Sequence, residues 1–444
     1  MKPSETRFKI AVVGAGWAGL SAAVQLARRA DVTVFEAGRR AGGRARRVDS
    51  SGVLSFLDNG QHILLGAYHG VLGIMRQIGV DEKEVFRRMP LTWYMAEGMN
   101  FQTASLPKPW HLLLGVLRAK NLAFSEKMAL LKSMRVLKKY GQSDAADIDV
   151  AAWLQQNRVS HKLQIEFWQP LVYGALNTPL EQAGLKTLYH VLHDGVWAEK
   201  QDSDYLLPKR DLSSVLAEPA CSYLRRRGAN IRLENRVNGL ECLPDGKVAV
   251  DGEPFDAVIL AVAPYHAAAL MPSETPDNIQ TAYRSMKYHA ITTVYLRYPE
   301  AVSLPAPMTG VKNGTAQWLF DRRALGLSDR EMVAVISVSD GFGDLTRDEW
   351  IDKIDADIKK ICPHLSKPSA AKVMTEKRAT IAATVDRCLP DTTWLHHQNI
   401  YPAGDYLHPR YPATLEAAVQ SGFTAADLCL TELANQKRKE YGPT

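Results

Sequence analysis

The chain has 444 residues, 46% of them hydrophobic and 23% charged, a composition that predicts an ordinary globular protein of two or three lobes and excludes extensive disorder. Its formal charge of +6 gathers in short runs, RRAGGRARR (39–47), RVLKKY (135–140) and the final KRKEYGPT; none is interleaved with aromatics, so no nucleic-acid platform is expected. The five cysteines are scattered without a C-x-x-C, and no H-E-x-x-H occurs, which excludes local zinc or dithiol sites and points to a reducing compartment.

MKPSETRFKIAVVGAG enters its first strand almost at once, leaving no apolar region for a signal peptide. No uncharged apolar run approaches the roughly 20 residues of a membrane-spanning helix. A cytoplasmic protein is expected. FKIAVVGAGWAGLSAAVQLARRADVTVFEAG reads as strand, tight turn, helix and strand, one βαβ unit whose first strand is apolar on both faces. In LDNGQHILLGAY (57–68), Asn59-Gly60 between two apolar stretches predicts a tight β-hairpin, with the Asp58 carboxylate bonding the turn amides. On that reading Gln61 and His62 merely begin the returning strand; the alternative is that they face a ligand.

From about 107 to 200 the spacing is mainly helical. Trp153, Phe167, Trp168 and Tyr173 fall at core positions, with the lining of a substrate tunnel as the alternative. KPWHLLLGVLRAKNLAF (108–124) has an aromatic-apolar face flanked by Lys and Arg, the pattern of a buried helix or of an interfacial segment. After Pro208, LSSVLAEPACSYLRRRGA predicts a helix bent or broken at Pro219, followed by a strand-like NIRLENRVNGLEC and by KVAV-DGEP-FDAVILAVAP. The last segment, from NIYPAGDYLH onward, reads as strand, Gly-Asp turn, loop and long helix, with His396-His397 in an exposed turn just before it. The fold class expected is α/β: a discontinuous Rossmann-like domain over 1–95, 205–270 and 376–444, and an inserted mixed α+β substrate domain, with a helical lobe, over 96–204 and 271–375.

Gly14-x-Gly16-x-x-Gly19 follows the first strand and opens the helix. Gly14 permits the turn, Gly16 admits a pyrophosphate to the backbone, and Gly19 lets helix and strand pack closely. The diphosphate would lie at the positive helix N-terminus, and Glu36, ending the second strand, is placed to accept from a ribose hydroxyl. Arg39-Arg40-Ala41-Gly42-Gly43-Arg44 follows, which by itself reads either as a turn bringing backbone amides and guanidinium groups to a second phosphate region or as a basic surface turn.

That run resembles the R-x-G-G-R signature of the flavin amine oxidase and carotenoid desaturase superfamily. Ala403-Gly404-Asp405 and the stretch from Pro412 to Gly422 resemble its closing flavin segment, with Ala417 where relatives often carry Gly. The resemblance implies FAD as cofactor in a glutathione-reductase-like, amine oxidase-type domain. It assigns Gly404 and Asp405 to the ribityl–phosphate region, and Thr414 and Leu415 to a helix start aimed at the isoalloxazine. Asn235-Arg236-Val237 fits the middle FAD segment, with Val237 on the cofactor, and Gly60 fits the strand beside the ring.

Longer stretches resemble the hydroxysqualene dehydroxylase branch: DNGQHILLGAY (58–68), ALNTPLEQAG (175–184), DYLLPKRDLSSVLAEP (204–219), EKRATIAAT (376–384) and GDYLHPRYPATLEAAVQSG (404–422), with Tyr406 where Trp is frequent. The resemblance implies reductive removal of an allylic hydroxyl from a C30 isoprenoid, with hydride from reduced FAD and an acid for the leaving group; it names no electron donor. His62 is the expected acid, Gln61 orients the substrate oxygen, and Tyr68 or Tyr173 relays. The competing readings are a carotenoid-type desaturase, a flavin amine oxidase, and a non-catalytic FAD- or lipid-binding protein. Peripheral attachment to a membrane is the companion expectation for so apolar a substrate.

Overall fold

A computed structural model describes residues 7–49, 52–385 and 387–441. Residues 1–6, where the chain was read as leading straight into a strand, and the last three of the basic tail lie outside it. The organising element is a five-stranded parallel sheet in the order Asn230–Arg232, Ala30–Phe35, Phe8–Val13, Ala257–Leu260, Ile400–Pro402. Side chains alternate across it, as strand geometry dictates. Ile10, Val12, Val34 and Ile259 meet helix Trp17–Leu26 and the 27-residue helix Leu415–Tyr441 on one face. Ala11, Val13, Val258 and Leu260 meet a three-stranded meander and two short helices on the other. Burial on both faces explains the uninterrupted apolar reading of these strands.

A second, mixed sheet has seven strands in the order Ala370–Ile381, Tyr288–Arg297, Glu331–Ser337, Trp318–Asp321, Met308–Val311, Thr92–Ala96, Asn100–Gln102. Val294, Leu296 and Leu319 face helix Arg347–Ile361, while Tyr295, Trp318 and Phe320 face a lobe of helices running from Trp110 to Val196. The division of domains drawn from the sequence at 95/96 falls within strand Thr92–Ala96, and that at 375/376 within Ala370–Ile381. A small sheet, Leu64–Leu65, Tyr205–Pro208 and Phe86–Met89, joins the two cores.

Three local expectations are corrected. No hairpin forms at Asn59-Gly60: Leu57–Asp58 pairs with Arg47–Val48, and Leu64–Leu65 pairs with Tyr205 and Leu206. Neither residue of that dipeptide has the positive φ a type I′ turn requires, whereas Asp251 (φ 48°) and Gly252 (φ 83°) both do and close a two-residue hairpin. Pro219 does not break its helix. Residues Ser213–Ala217 form a wider π turn that runs straight into Glu218–Arg226, and the local widening accommodates Pro219, which has no N–H to give. NIRLENRVNGLEC is not one strand; it divides into Asn230–Arg232 and Leu240–Cys242, and residues 233–239 make a loop.

Candidate active site

A cavity of about 900 Å³ runs from the glycine turn after the first strand to the helical lobe. At its nucleotide end Gly14 adopts φ +104°, and a Cβ there would stand 2.3 Å from the Ala261 carbonyl oxygen. Helix Trp17–Leu26 starts at Gly16 without a side-chain cap, so its first N–H groups are left for a ligand. Gly16 faces the second glycine turn: Gly42 donates to the Ala15 carbonyl at 2.8 Å, and a Cβ on Gly43 would approach the Gly16 Cα to 3.1 Å. Gly19 does not line the cavity. A Cβ on it would fall 1.9 Å from the Gly14 oxygen, so its part is close packing.

Glu36 lines the cavity and accepts from the Ala15 and Gly38 amides at 2.9 and 2.7 Å, leaving each oxygen a further acceptor direction for a ribose hydroxyl. Val237 also lines this end, presented by the loop at 233–239. Arg39 is not brought to the cavity: its side chain is 89% exposed and pairs with Glu234 at 3.3 Å. The turn that aims Arg44 inward aims Arg39 into solvent. Arg46, which follows the expected R-x-G-G-R run, lines the cavity instead, as does Arg236 of the middle segment.

Arg44 binds the N- and C-terminal motifs together. One nitrogen donates to both Asp405 oxygens at 2.8 Å and another to the Ala379 carbonyl at 2.8 Å. The Asp405 charge holds the guanidinium pKa above its ordinary value, against the opposing effect of burial. Gly404 donates to Ser421 Oγ, fixing this turn on the last helix. Thr414 caps that helix by accepting from the Ala417 amide, and Thr414 and Leu415 both line the cavity. Next to them, buried Glu416 accepts from the Gly70 and Val71 amides at 2.8 and 2.9 Å, capping the distant helix His69–Ile78.

Gly60, Gln61, His62 and Tyr68 all line the middle of the cavity. His62 Nδ1 meets the Gly60 carbonyl at 2.8 Å, so Nδ1 carries the proton and Nε2 is the free nitrogen. Burial lowers the ring's pKa, the Gly60 bond opposes this, and Arg44 adds to it. The Gln61 amide donates to the His62 carbonyl. Burial raises the Tyr68 pKa and the neighbouring Glu416 charge adds to it, while the Thr414 side chain opposes it. Asp58 does not bond the adjacent turn; its carboxylate accepts from the Leu212 amide at 2.9 Å, because the chain at 57–58 is paired away from its supposed return strand. Tyr173 does not line the cavity, although Gly174 does.

Beyond this polar belt the lining becomes apolar. Trp93, Phe167 and Trp318 form a packed wall with ring centroids 5.0 and 4.9 Å apart, and Leu112, Met134 and Leu171 extend it. Trp153 and Trp168 pack edge to face in the core and do not reach the cavity. Asn177 and Glu376 are further polar liners missed in the sequence. Asn177, left-handed at φ 45°, bonds Thr380 and the Val338 amide and so locks helix Gln169–Leu176 to the large sheet. Its place before Thr-Pro in ALNTPLEQAG was the available signal. His396 stacks on Tyr401, and among the described residues no cluster fit for a metal occurs.

The model of the family described as flavin containing amine oxidoreductase matches residues 17–430. Hydroxysqualene dehydroxylase of Rhodopseudomonas palustris is 30% identical over 94% of this chain and 97% of its own length. The enzyme of that name from Zymomonas mobilis is 26% identical over 95% and 98%. The fold is also that of cyclohexylamine oxidase from Brevibacterium oxydans, with a TM-score of 0.71, 17% identity and coverage of 96% of this chain and 100% of that one. The cofactor is FAD, and the residues fit it: the gap between Gly16 and Gly43 is one that added Cβ atoms would narrow, the uncapped helix start suits a diphosphate, and Glu36 suits the ribose. With both ends of that cradle joined by the Arg44–Asp405 pair, the chain belongs to the flavin-containing amine oxidoreductases, in their hydroxysqualene dehydroxylase family.

Proposed function

We propose that this protein removes the allylic hydroxyl of hydroxysqualene reductively, giving squalene. The carrying observation is the cavity itself, where one continuous space joins a dinucleotide cradle to a long apolar chamber through a belt containing Gln61, His62 and Tyr68. Reduced FAD, when bound, supplies the hydride that replaces the lost hydroxyl. The chain's task is to hold the hydrocarbon, orient its oxygen and keep water out. His62 offers a free Nε2 acceptor, so in the resting protein it orients the substrate O–H. It serves as the acid only after taking up a proton, against the burial and Arg44 charge that keep it neutral. Gln61 braces the His62 backbone, and Tyr68 lines the belt together with Thr414 and Glu416 at the start of the last helix.

The substrate reaches this chamber from a membrane surface. Trp110, Leu117, Phe124 and Met128 are exposed on the helix pair Trp110–Leu117 and Phe124–Gly141, whose inner residues Leu112 and Met134 line the cavity; Leu106 is exposed in the segment before it, and Arg118 and Lys120 are exposed between the two helices. That arrangement suits shallow insertion beside anionic headgroups. No helix among the described residues is long and apolar enough to cross a membrane.

Anaerobic mixing of the photoreduced protein with hydroxysqualene tests the reaction. Flavin reoxidation with stoichiometric squalene is expected. Bleaching of oxidised flavin by a hydrocarbon or an amine, with no reaction of the reduced form, overturns it. Flotation with anionic liposomes tests the surface: Trp110→Glu with Phe124→Glu should abolish it, and undiminished flotation removes the membrane route.

A further inference from the structure

Strand Tyr205–Pro208 lies between the two cores, and its alternation sends side chains into each: Leu206 into the nucleotide-domain core, Tyr205 and Leu207 into the substrate lobe. Tyr205 is 7% exposed, and it lines the cavity. Its neighbour across the strand pair is Leu65, which lines the cavity a few residues beyond His62. Of the other phenols lining the cavity, Tyr411 donates to Asp194 at 2.8 Å, and Tyr406 packs edge-on against Tyr283 beside the Gly404-Asp405 turn. No hydrogen bond reaches the Tyr205 hydroxyl from the described residues; desolvation is the sole influence on it. The hydroxyl is not one of the fully occluded polar atoms left without a partner, so it opens on the cavity, where a ligand that displaces water must replace the hydrogen bond that water made. It is therefore free to pair with a group that enters with the ligand.

We propose that the Tyr205 hydroxyl donates a hydrogen bond to the hydroxyl of the bound isoprenoid alcohol and is the group that separates substrate from product. The proposal rests on the dehydroxylation reading above and adds the residue that reads the oxygen. Burial raises the phenol's pKa, so it stays protonated and acts as a donor throughout the physiological range. Once the hydroxyl has left, the product has nothing to accept this bond, and its hold on the site weakens.

The test compares binding of hydroxysqualene and squalene to the FAD-loaded, oxidised protein, which cannot turn over the alcohol, by perturbation of flavin absorbance in one detergent. Wild type should prefer the alcohol, and Tyr205→Phe should weaken hydroxysqualene by about tenfold while leaving squalene unchanged. Flavin content and Tm of the variant show that it is folded. Equal losses for both ligands, or no loss for either, overturn the proposal. A second measurement needs no variant: the O-methyl ether of hydroxysqualene accepts but cannot donate, so wild type should still bind it better than squalene, and failure to do so also overturns the proposal. Wild type that turns over hydroxysqualene yet does not prefer it defeats this assignment alone; wild type that binds and converts none of it defeats the dehydroxylation reading as well.

Discussion

At the nucleotide end of the cavity the lining is mostly backbone, set by glycine turns at Gly14 and Gly43 and clamped by Arg44 on Asp405. At the far end it is side chain, drawn from Thr92–Ala96, from the helices after Gln164 and from Trp318–Asp321. The first construction tolerates almost no added atom, because a Cβ meets backbone that cannot turn aside. The second tolerates exchange of one apolar residue for another of similar volume, but not charge. One end is therefore fixed for a single cofactor, and the other can be reshaped for different hydrocarbons.

Gly19→Ala should break the nucleotide end most severely. Its Cβ would lie 1.9 Å from the Gly14 carbonyl oxygen, so helix and strand must separate. A loss of more than about 3 kcal/mol and a protein purified without flavin are expected, read by thermal unfolding and by the ratio of flavin to protein absorbance. A flavin-replete Gly19→Ala protein would mean that the two elements can part freely, contrary to the rigidity argued above.

Arg44 and Arg39 sharpen the contrast within one turn. Arg44→Ala strands the buried Asp405 carboxylate; with Arg44 itself 38% exposed, about 1–3 kcal/mol and at least tenfold in FAD retention should be lost. Arg39→Ala removes only an exposed pair and should leave flavin content unchanged. Dialysis followed by flavin quantification separates them, and equal losses would place both guanidinium groups at the cofactor. At the apolar end, Leu171→Glu should retain full flavin while costing about 1–2 kcal/mol of stability and weakening squalene by about tenfold, since a carboxylate in that lining disfavours a hydrocarbon neighbour. Loss of flavin in this variant would show that the two ends are not separable.

The same contrast explains what was legible in the sequence. Gly14, Gly16, Glu36, Arg44 and the Gly404-Asp405 turn lie in short stretches whose chemistry is local, and each arrives at the cavity. Arg39 was misplaced because spacing does not tell which way a turn aims a side chain. The chamber was hidden because Trp93, Phe167 and Trp318 meet only after strands far apart in the chain pair up. Asn59-Gly60 misled because the tertiary partner of each flank, Arg47–Val48 on one side and Tyr205 with Leu206 on the other, outweighs local turn preference. Tyr205 was invisible for a related reason: an apolar strand does not disclose that one of its hydroxyls is left unpaired.

Asp58 sits between the two cores, bonded to Leu212 of one and Tyr295 of the other, and it yields the smallest of these effects. Desolvation raises its carboxyl to about 7, against the Leu212 amide bond and the attraction of Arg322 and Arg47. The folded state thus keeps a proton that the unfolded chain releases near its ordinary value of 3.8, so stability from this group is fully present below that value and is lost as pH rises through 7. Asp58→Asn makes the neutral form permanent and lets the amide oxygen still accept from Leu212. The attraction of the two arginines is already part of that raised value, so the gain in stability at pH 8 is expected to exceed the gain at pH 4.5 by about 1 kcal/mol or more. Thermal unfolding of both proteins at the two pH values checks the sign. A difference that does not change with pH would mean that the carboxylate stays charged in the fold, its partners outweighing its burial.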